Sequence, residues 1–369
     1  MSRRGRLEPL KLGIVGCGFV TERRHLPTLQ RLSEIRVVAL ADVHADKCER
    51  VAARFGWPSC HPDVRALLAN ADVDAVAVCT PASTHTEVAL PALDAGKHVF
   101  VEKPITLSLE EAGTLVARAQ NLSATTTVGF NQRHHRLVRE ARKLLRDGAV
   151  GRVMAIATRF TDARLAQPDL PAWRSRRETG GGGLLEKLIH HFDLWRFLLD
   201  DEVEDVFADS RGRRSDDETT LVTGRMRKGA LAHAFGSDLS TSSNEVLVYG
   251  EKGSVLVDLY RFDGLVLSGM LDLPGAPRTR LRRLTTGAAQ LSRSLGELRS
   301  GGLFNASYAA EWRCFAAAAR GSRPPASTFE DGLRALQITF AAAQSASLGR
   351  RIKVADAPPS VPPAEGVSV

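Results

Sequence analysis

Three short segments of this sequence carry side chains able to do chemistry. In Glu102-Lys103-Pro104 an apolar run ends on an acid and a base, and the proline biases Lys103 toward extended geometry, so that an ammonium is held at a strand end. The second segment runs from Leu184 to Phe197. On a helix at about 100° per residue its Glu186, His190 and Asp193 fall in one narrow stripe, with Leu185, Leu188, Phe192, Trp195 and Leu199 roughly opposite. Glu186 and His190 are i,i+4 neighbours, a spacing at which a carboxylate orients and charge-stabilises an imidazole. The third segment is Asn131-Gln132-Arg133-His134-His135. An ammonium held at a strand end can project toward the reacting end of a bound dinucleotide, and an imidazole steadied by a carboxylate can take up or return a proton. Plainer readings stand beside these. Glu102-Lys103 can be a surface charge pair, the stripe can be a solvated helix face, and Arg133 can bind substrate or neutralise a domain interface. His134 and His135 read as structural. Glu186 and His190 could chelate a metal, but no third ligand has clear spacing, and no metal is expected.

These groups need a scaffold, and the first residues supply one. Lys11–Val15 is an apolar run that ends in Gly16-Cys17-Gly18 and passes through Phe19 and Val20 into a helix-compatible stretch. Gly16 permits a tight turn, Gly18 lets the backbone approach a pyrophosphate, and the helix N-terminus offers N–H groups to the anion. Thr21 stands where a third glycine often sits, so the fingerprint is incomplete. A second strand, Arg36–Ala41, ends at Asp42, whose carboxylate can accept both ribose hydroxyls or cap the next helix, Ala45–Phe55. A carboxylate there repels a 2′-phosphate and favours NAD over NADP, although His44 and Lys47 lie close enough to blur the preference.

Further strands are predicted at Ala75–Thr80, His98–Glu102 and Thr125–Gly129, and helices at Thr84–Ala95 and Leu109–Asn121. Strands alternating with helices imply a doubly wound parallel sheet, with ligands at the carboxyl ends of the strands, where Gly16, Asp42, Thr80, Glu102 and Asn131 fall. From about residue 131 the pattern changes. The helix Arg136–Asp147, the strand Arg152–Phe160 and the helix led in by Gly180–Gly183 precede four alternating strands between Thr219 and Asp258. The fold class is therefore α/β: an N-terminal Rossmann domain over 1–130, then an α+β domain over 131–354 with an open, mostly antiparallel sheet and a helix around 330–348. A Pro-rich tail over 355–369 is expected to be disordered.

A chain of 369 residues suits two domains. The net charge of +8 is mostly scattered, apart from Arg278, Arg280, Arg282, Arg283, Arg293 and Arg299, and no aromatic residues interleave that cluster. Nucleic-acid binding is not expected. Five widely spaced cysteines make neither a disulfide framework nor a zinc site, and no run is long enough to span a membrane, so a cytoplasmic protein is expected.

The combination of Gly16-Cys17-Gly18, Asp42, Thr80-Pro81 with His85, Glu102-Lys103-Pro104, the glycine run before Glu186-x-x-x-His190-x-x-Asp193, and Glu330-Asp-Gly-Leu333 resembles the Gfo/Idh/MocA oxidoreductases, the glucose–fructose oxidoreductase and inositol dehydrogenase family. The resemblance runs from Lys11 to Val354. It implies NAD held by Gly16, Gly18, Phe19, Val20, Asp42, Thr80, Pro81, His85, Glu102, Lys103 and Asn131. It also implies hydride transfer to or from a carbinol carbon of a sugar, cyclitol or related small molecule. In that scheme Lys103 and His190 are catalytic, Glu186 orients His190, and Arg133, Trp173 and His190 meet substrate. Arg174, Arg176 and Arg177 flank that tryptophan and fit either an anionic substrate group or an ordinary basic loop. A homo-oligomer, dimer or tetramer, through the second-domain sheet is implied too. The family helix usually reads Gly-Gly-Gly-x-Leu-x-Asp-x-Gly-x-His. Here Glu186 replaces the aspartate, and Leu188 replaces the second glycine and is expected to reshape the substrate pocket. Two alternatives share the motifs: an enzyme with tightly bound NAD and no net redox, such as an epimerase or a glycoside-cleaving type, and a catalytically silent cofactor-binding protein.

Overall fold

The computed structural model describes residues 8–56, 59–69, 72–166, 172–272, 302–360 and 362, with isolated positions (276, 277, 281, 290, 291, 294 and 297) between 272 and 302. All six arginines of the 278–299 cluster lie outside the described residues. The chain divides into two compact units, one of Met1–Thr106, Glu110–Asn131 and Tyr308–Leu333, the other of Leu107–Leu109, Gln132–Ser307 and Arg334–Val369.

The first unit is built on a six-stranded parallel sheet: β1 (Leu10–Val15), β2 (Ile35–Ala41), β3 (Cys60–His61), β4 (Ala75–Val78), β5 (His98–Val101) and β6 (Thr126–Val128), in the order β3-β2-β1-β4-β5-β6. β4 is buried at every position, as a strand covered on both faces must be, which is why it reads as an unbroken apolar run. Helices α1 (Leu26–Leu29, continuing a π-helical turn Thr21–His25), α2 (Ala45–Phe55), α3 (Val64–Leu68), α4 (His85–Asp94) and α5 (Leu109–Gln120) connect the strands. The sheet order reverses between β1 and β4, the switch point at which such sheets bind ligands.

A boundary at residue 130 misses one contribution to this unit. Tyr308–Leu333 belongs to it because Trp312 and Phe315, on the helix Leu303–Ala319, complete the core around Phe100, and the Phe100 and Trp312 rings stack with centroids 4.5 Å apart. Burial of large aromatic surface outweighs the long loop closure needed to bring them there.

The second unit carries α6 (Arg136–Arg146) and α7 (Ile189–Leu199) and an eight-stranded sheet. Its strands are β7 (Val153–Thr161), β8 (Val203–Arg211), β9 (Thr219–Met226), β10 (Leu231–Ser237), β11 (Ser243–Gly250), β12 (Gly253–Asp258), β13 (Leu265–Gly269) and β14 (Ile352–Lys353). The order is β13-β12-β11-β7-β10-β9-β8-β14, and only the β7–β10 pair is parallel. β9 alternates buried and exposed positions, so the sheet has one packed and one open face. Strands β8 and β13 lie outside those legible in the sequence. Residues 355–360 are not a loose tail: the Leu109 N–H donates to the Pro359 carbonyl at 2.7 Å, and Ser108 bridges Ser360. Among the described residues, no helix is long and apolar enough to cross a membrane.

Candidate active site

The first unit's site begins at the end of β1. Gly16 adopts φ +99°, and a Cβ there would sit 2.5 Å from the Cys79 carbonyl oxygen after β4, so both the turn and the close approach require glycine. At Gly18 a Cβ would meet nothing within 4 Å, leaving open space where a pyrophosphate would lie. Phe19 and Val20 stand exposed beside it.

Asp42, at the end of β2, ties this loop down. Its Oδ2 accepts the Cys17 N–H at 2.8 Å and its Oδ1 the His44 N–H at 3.0 Å, with the Lys47 ammonium 3.2 Å from Oδ2. Burial alone would raise the Asp42 carboxyl, but these two N–H groups and the ammonium outweigh it and hold it below the ordinary range. A nucleotide ribose would meet an oriented, anionic side chain, and the residues present fit a bound NAD.

Thr80, Pro81 and His85 form a second support. His85 is buried, with Nε2 3.0 Å from the Thr80 carbonyl oxygen and Nδ1 3.0 and 3.1 Å from those of Pro104 and Ile105. Both ring nitrogens are occupied by backbone, so this histidine pins the turn after β4 to the turn after β5 rather than offering a free edge to a ligand. Burial pulls its pKa below the ordinary histidine value against the pull of the three carbonyls.

Lys103 sits in the second of these turns, and the Lys103–Pro104 peptide is cis. Glu102 is engaged on both oxygens: Oε1 lies 2.8 Å from His25 Nε2, and Oε2 accepts the Lys103 N–H at 3.0 Å. Asn131 is buried at the start of a 3₁₀ turn, Asn131–His134.

In the second unit, Asp193 does not line an ionisable stripe. α7 is buried at every position from Ile189 to Leu198, because it touches α6 as well as β7 and its polar side is covered too. Asp193 receives Arg133 bidentately, Nε at 2.7 Å and Nη2 at 2.5 Å. His190 is 8% exposed.

Glu186 lies on a π-helical turn, Leu184–Leu188, just before α7, and its Oε2 is 2.7 Å from Arg174 Nη2 and 3.4 Å from Arg164 Nη1. Arg164 also pairs with Asp238, and Lys187 joins Asp162 at 2.6 Å and Asp238. Arg174 lies 5.8 Å from the ring of Trp173, which is itself about half-exposed. Arg177 is buried against Asp217 at 2.7 Å, whereas Arg176 is largely exposed. Among the described residues, no group of three or more His, Cys, Asp or Glu side chains could hold a metal.

Residues 10–130 match an oxidoreductase family with an NAD-binding Rossmann fold, Gfo/Idh/MocA, and residues 138–256 match the C-terminal domain of that family. The chain belongs to the Gfo/Idh/MocA oxidoreductases. It is 28% identical over 354 residues to a myo-inositol 2-dehydrogenase of Thermotoga maritima, a span covering 94% of this chain and 98% of the relative. It is 32% identical over 241 residues to a dTDP-3,4-didehydro-2,6-dideoxy-alpha-D-glucose 3-reductase of Actinomadura kijaniata, covering 64% of this chain and 71% of that one. Among solved structures it shares the fold of the WlbA dehydrogenase of Bordetella pertussis, crystallised with NADH and UDP-GlcNAcA, with a TM-score of 0.78 and 22% identity over 94% of this chain and 98% of that one.

Against the usual Gfo/Idh/MocA helix, the Leu188 substitution goes into the core, not into a pocket. Leu188 is fully buried and lies over Gly236 of β10, where a Cβ would be 3.0 Å from Leu188 Cγ. Several residues around the site and its core carry no mark in the sequence. His25, Trp312, Arg164 and Asp238 belong to ordinary-looking segments far apart in sequence, and no local spacing singles them out.

Proposed function

We propose that this chain is an NAD-dependent dehydrogenase or reductase acting on a carbinol or carbonyl carbon of a sugar, cyclitol or related small molecule. The observation that carries this reading is the placement of Lys103 at the carboxyl end of β5, its backbone clamped by Glu102, in a sheet whose switch point bears an NAD-compatible Gly16–Gly18 loop. The names of its relatives, a cyclitol dehydrogenase and a nucleotide-sugar reductase, favour the same substrate class.

Bound nicotinamide would supply the hydride acceptor or donor. Lys103 would hydrogen-bond the reacting oxygen and stabilise alkoxide charge. His190 would take the hydroxyl proton during oxidation and return it during reduction, a task suited to imidazole. Arg174 and Arg164 hold Glu186, so the carboxylate that departs from the family aspartate would act on His190 from a fixed position. Arg133 is committed to Asp193 and would serve the site by holding α7 rather than as a free anion receptor. Trp173 would offer a ring for stacking a sugar face.

The open sheet face presents Phe207, Leu221, Leu231 and Tyr249, all exposed, and favours a homo-oligomer formed through it. Light scattering on Leu231→Arg tests this: dissociation to monomers is expected, and an unchanged mass would rule it out.

Absorbance at 340 nm with NAD and a panel of cyclitols, sugars and sugar derivatives tests the function. Turnover with one class is expected, and Lys103→Ala should lower kcat by about 10²-fold or more while NAD still binds. Wild-type turnover in Lys103→Ala would overturn the assignment.

A further inference from the structure

The helix Leu303–Ala319 brings into the first unit side chains that the proposed chemistry does not use. Trp312 donates its indole N–H to His25 Nδ1 at 3.1 Å, His25 Nε2 meets Glu102 Oε1 at 2.8 Å, and Glu102 Oε2 accepts the Lys103 N–H at 3.0 Å. An indole N–H only donates, so Nδ1 is the acceptor and the ring proton sits on Nε2, facing the carboxylate. The result is one continuous chain of hydrogen bonds, with the Glu102 carboxylate accepting from both sides, that begins on a helix more than two hundred residues downstream and ends on the main chain of Lys103.

Its members have little freedom. His25 and Trp312 are fully buried, and the rings of Phe100, Tyr308 and Trp312 meet the imidazole edge-on at 5.7, 5.6 and 5.4 Å. Gly129 leaves room for the carboxylate, since a Cβ there would be 3.1 Å from Glu102 Cδ. Glu311, on the same helix, is fully buried with no hydrogen-bond partner for either oxygen among the described residues. Burial, reinforced by the charge of Glu102, pushes its carboxyl well above the ordinary range.

We propose that His25 and Trp312 are positioning residues for Lys103: the indole anchors the ring of His25 through Nδ1, His25 fixes the carboxylate of Glu102, and Glu102 fixes the backbone from which the lysine projects. This rests on the reading of Lys103 as catalytic. The effect is one of geometry, and a catalytic group displaced by about an ångström loses about 10²-fold in rate.

Two measurements test it. Side-chain ¹⁵N NMR of the wild-type protein should show His25 as the Nε2–H tautomer, and Trp312→Phe, which removes the donor to Nδ1 while the carboxylate keeps the proton on Nε2, should move the Nδ1 resonance. An Nδ1–H imidazole in the wild type, or an unchanged signal in Trp312→Phe, would overturn the proposal without any substrate being known.

In turnover, His25→Leu should lower kcat by about 10- to 100-fold with the NAD dissociation constant unchanged. His25→Gln, whose amide can donate to Glu102, should recover most of that loss. Wild-type kcat in a folded His25→Leu, or equal losses in both variants, would overturn it. The two readings separate through Lys103→Ala. If that variant is inactive and His25→Leu is not, only the positioning role fails; if it is fully active, the catalytic reading fails first.

Discussion

Arg133 and Asp193 form a buried bidentate pair, Nε to Oδ2 at 2.7 Å and Nη2 to Oδ1 at 2.5 Å, with side chains only 5% and 1% exposed. The guanidinium also lies 5.0 Å from the centroid of Phe197, one turn along α7. Removing one partner strands a charge away from water, whereas replacing both removes the desolvation burden with the attraction. Asp193→Ala should therefore destabilise the protein by about 3–5 kcal/mol in urea unfolding, and Arg133→Met with Asp193→Leu should recover most of that. Equal losses in the single and double variants would show that the pair is not the source.

Leu188 and Gly236 make a packing pair that can be dissected the same way. Leu188→Ala should cost about 2–5 kcal/mol by opening a cavity under α7. Gly236→Ala should also destabilise, because its Cβ would crowd Leu188 at 3.0 Å. The two together should cost less than their sum, with urea midpoints as the readout. If Leu188→Ala instead alters KM and leaves stability unchanged, the side chain faces a pocket after all.

His191 gives the second unit an acid-sensitive core. It is fully buried, stacked on Phe160 with Nε2 3.0 Å from Asn244 Oδ1, and burial pushes its pKa down to about 4. His135 is pushed to about 4 by burial and by the charge of Arg136. The unfolded chain binds these protons near 6.5 and the folded one does not until about 4, so stability is full above the unfolded value and falls as pH drops through that window. Each histidine accounts for a loss on the order of 2 kcal/mol by pH 5. His191→Gln keeps an amide partner for Asn244 without titrating, and should flatten its share of the decline in unfolding measured at pH 7 and pH 5. An identical decline in the variant would remove His191 as a cause.

Asp42 couples the Gly16–Gly18 turn to the end of β2. Asp42→Ala leaves the Cys17 and His44 N–H groups without their acceptor and removes the carboxylate offered to a ribose. NAD affinity should fall by about 10- to 100-fold, as for the loss of one charge-assisted hydrogen bond. Fluorescence titration with NAD checks this, and unchanged affinity would leave Asp42 as no more than a loop clip.

Much of this molecule could be read from residues alone. Unbroken apolar strands alternating with helices specify a parallel sheet, because only a strand buried on both faces has no polar side. Gly16-x-Gly18, Asp42 and Lys103 are legible because each must stand at a strand end within its own βα unit, so local spacing reports their place. The α2 helix appears at the bounds its pattern implies, and the second sheet shows in its alternation.

Other features depend on contacts between segments distant in sequence. A helical wheel shows Asp193 on a polar stripe, yet α6 covers that stripe and Arg133 neutralises it. Glu186 stands one turn before His190, and only the structure shows that Arg174 and Arg164 also hold its carboxylate. The family pattern marks Leu188 as extra bulk, and only Gly236 on a strand far downstream shows where that bulk goes. His25 and Trp312 meet across 287 positions. Periodicity reports which face of an element is apolar. Which polar groups that face buries, and which partners satisfy them, is settled when layers from different parts of the chain close over one another, since a buried charge or N–H takes whatever complementary group the packing brings within reach.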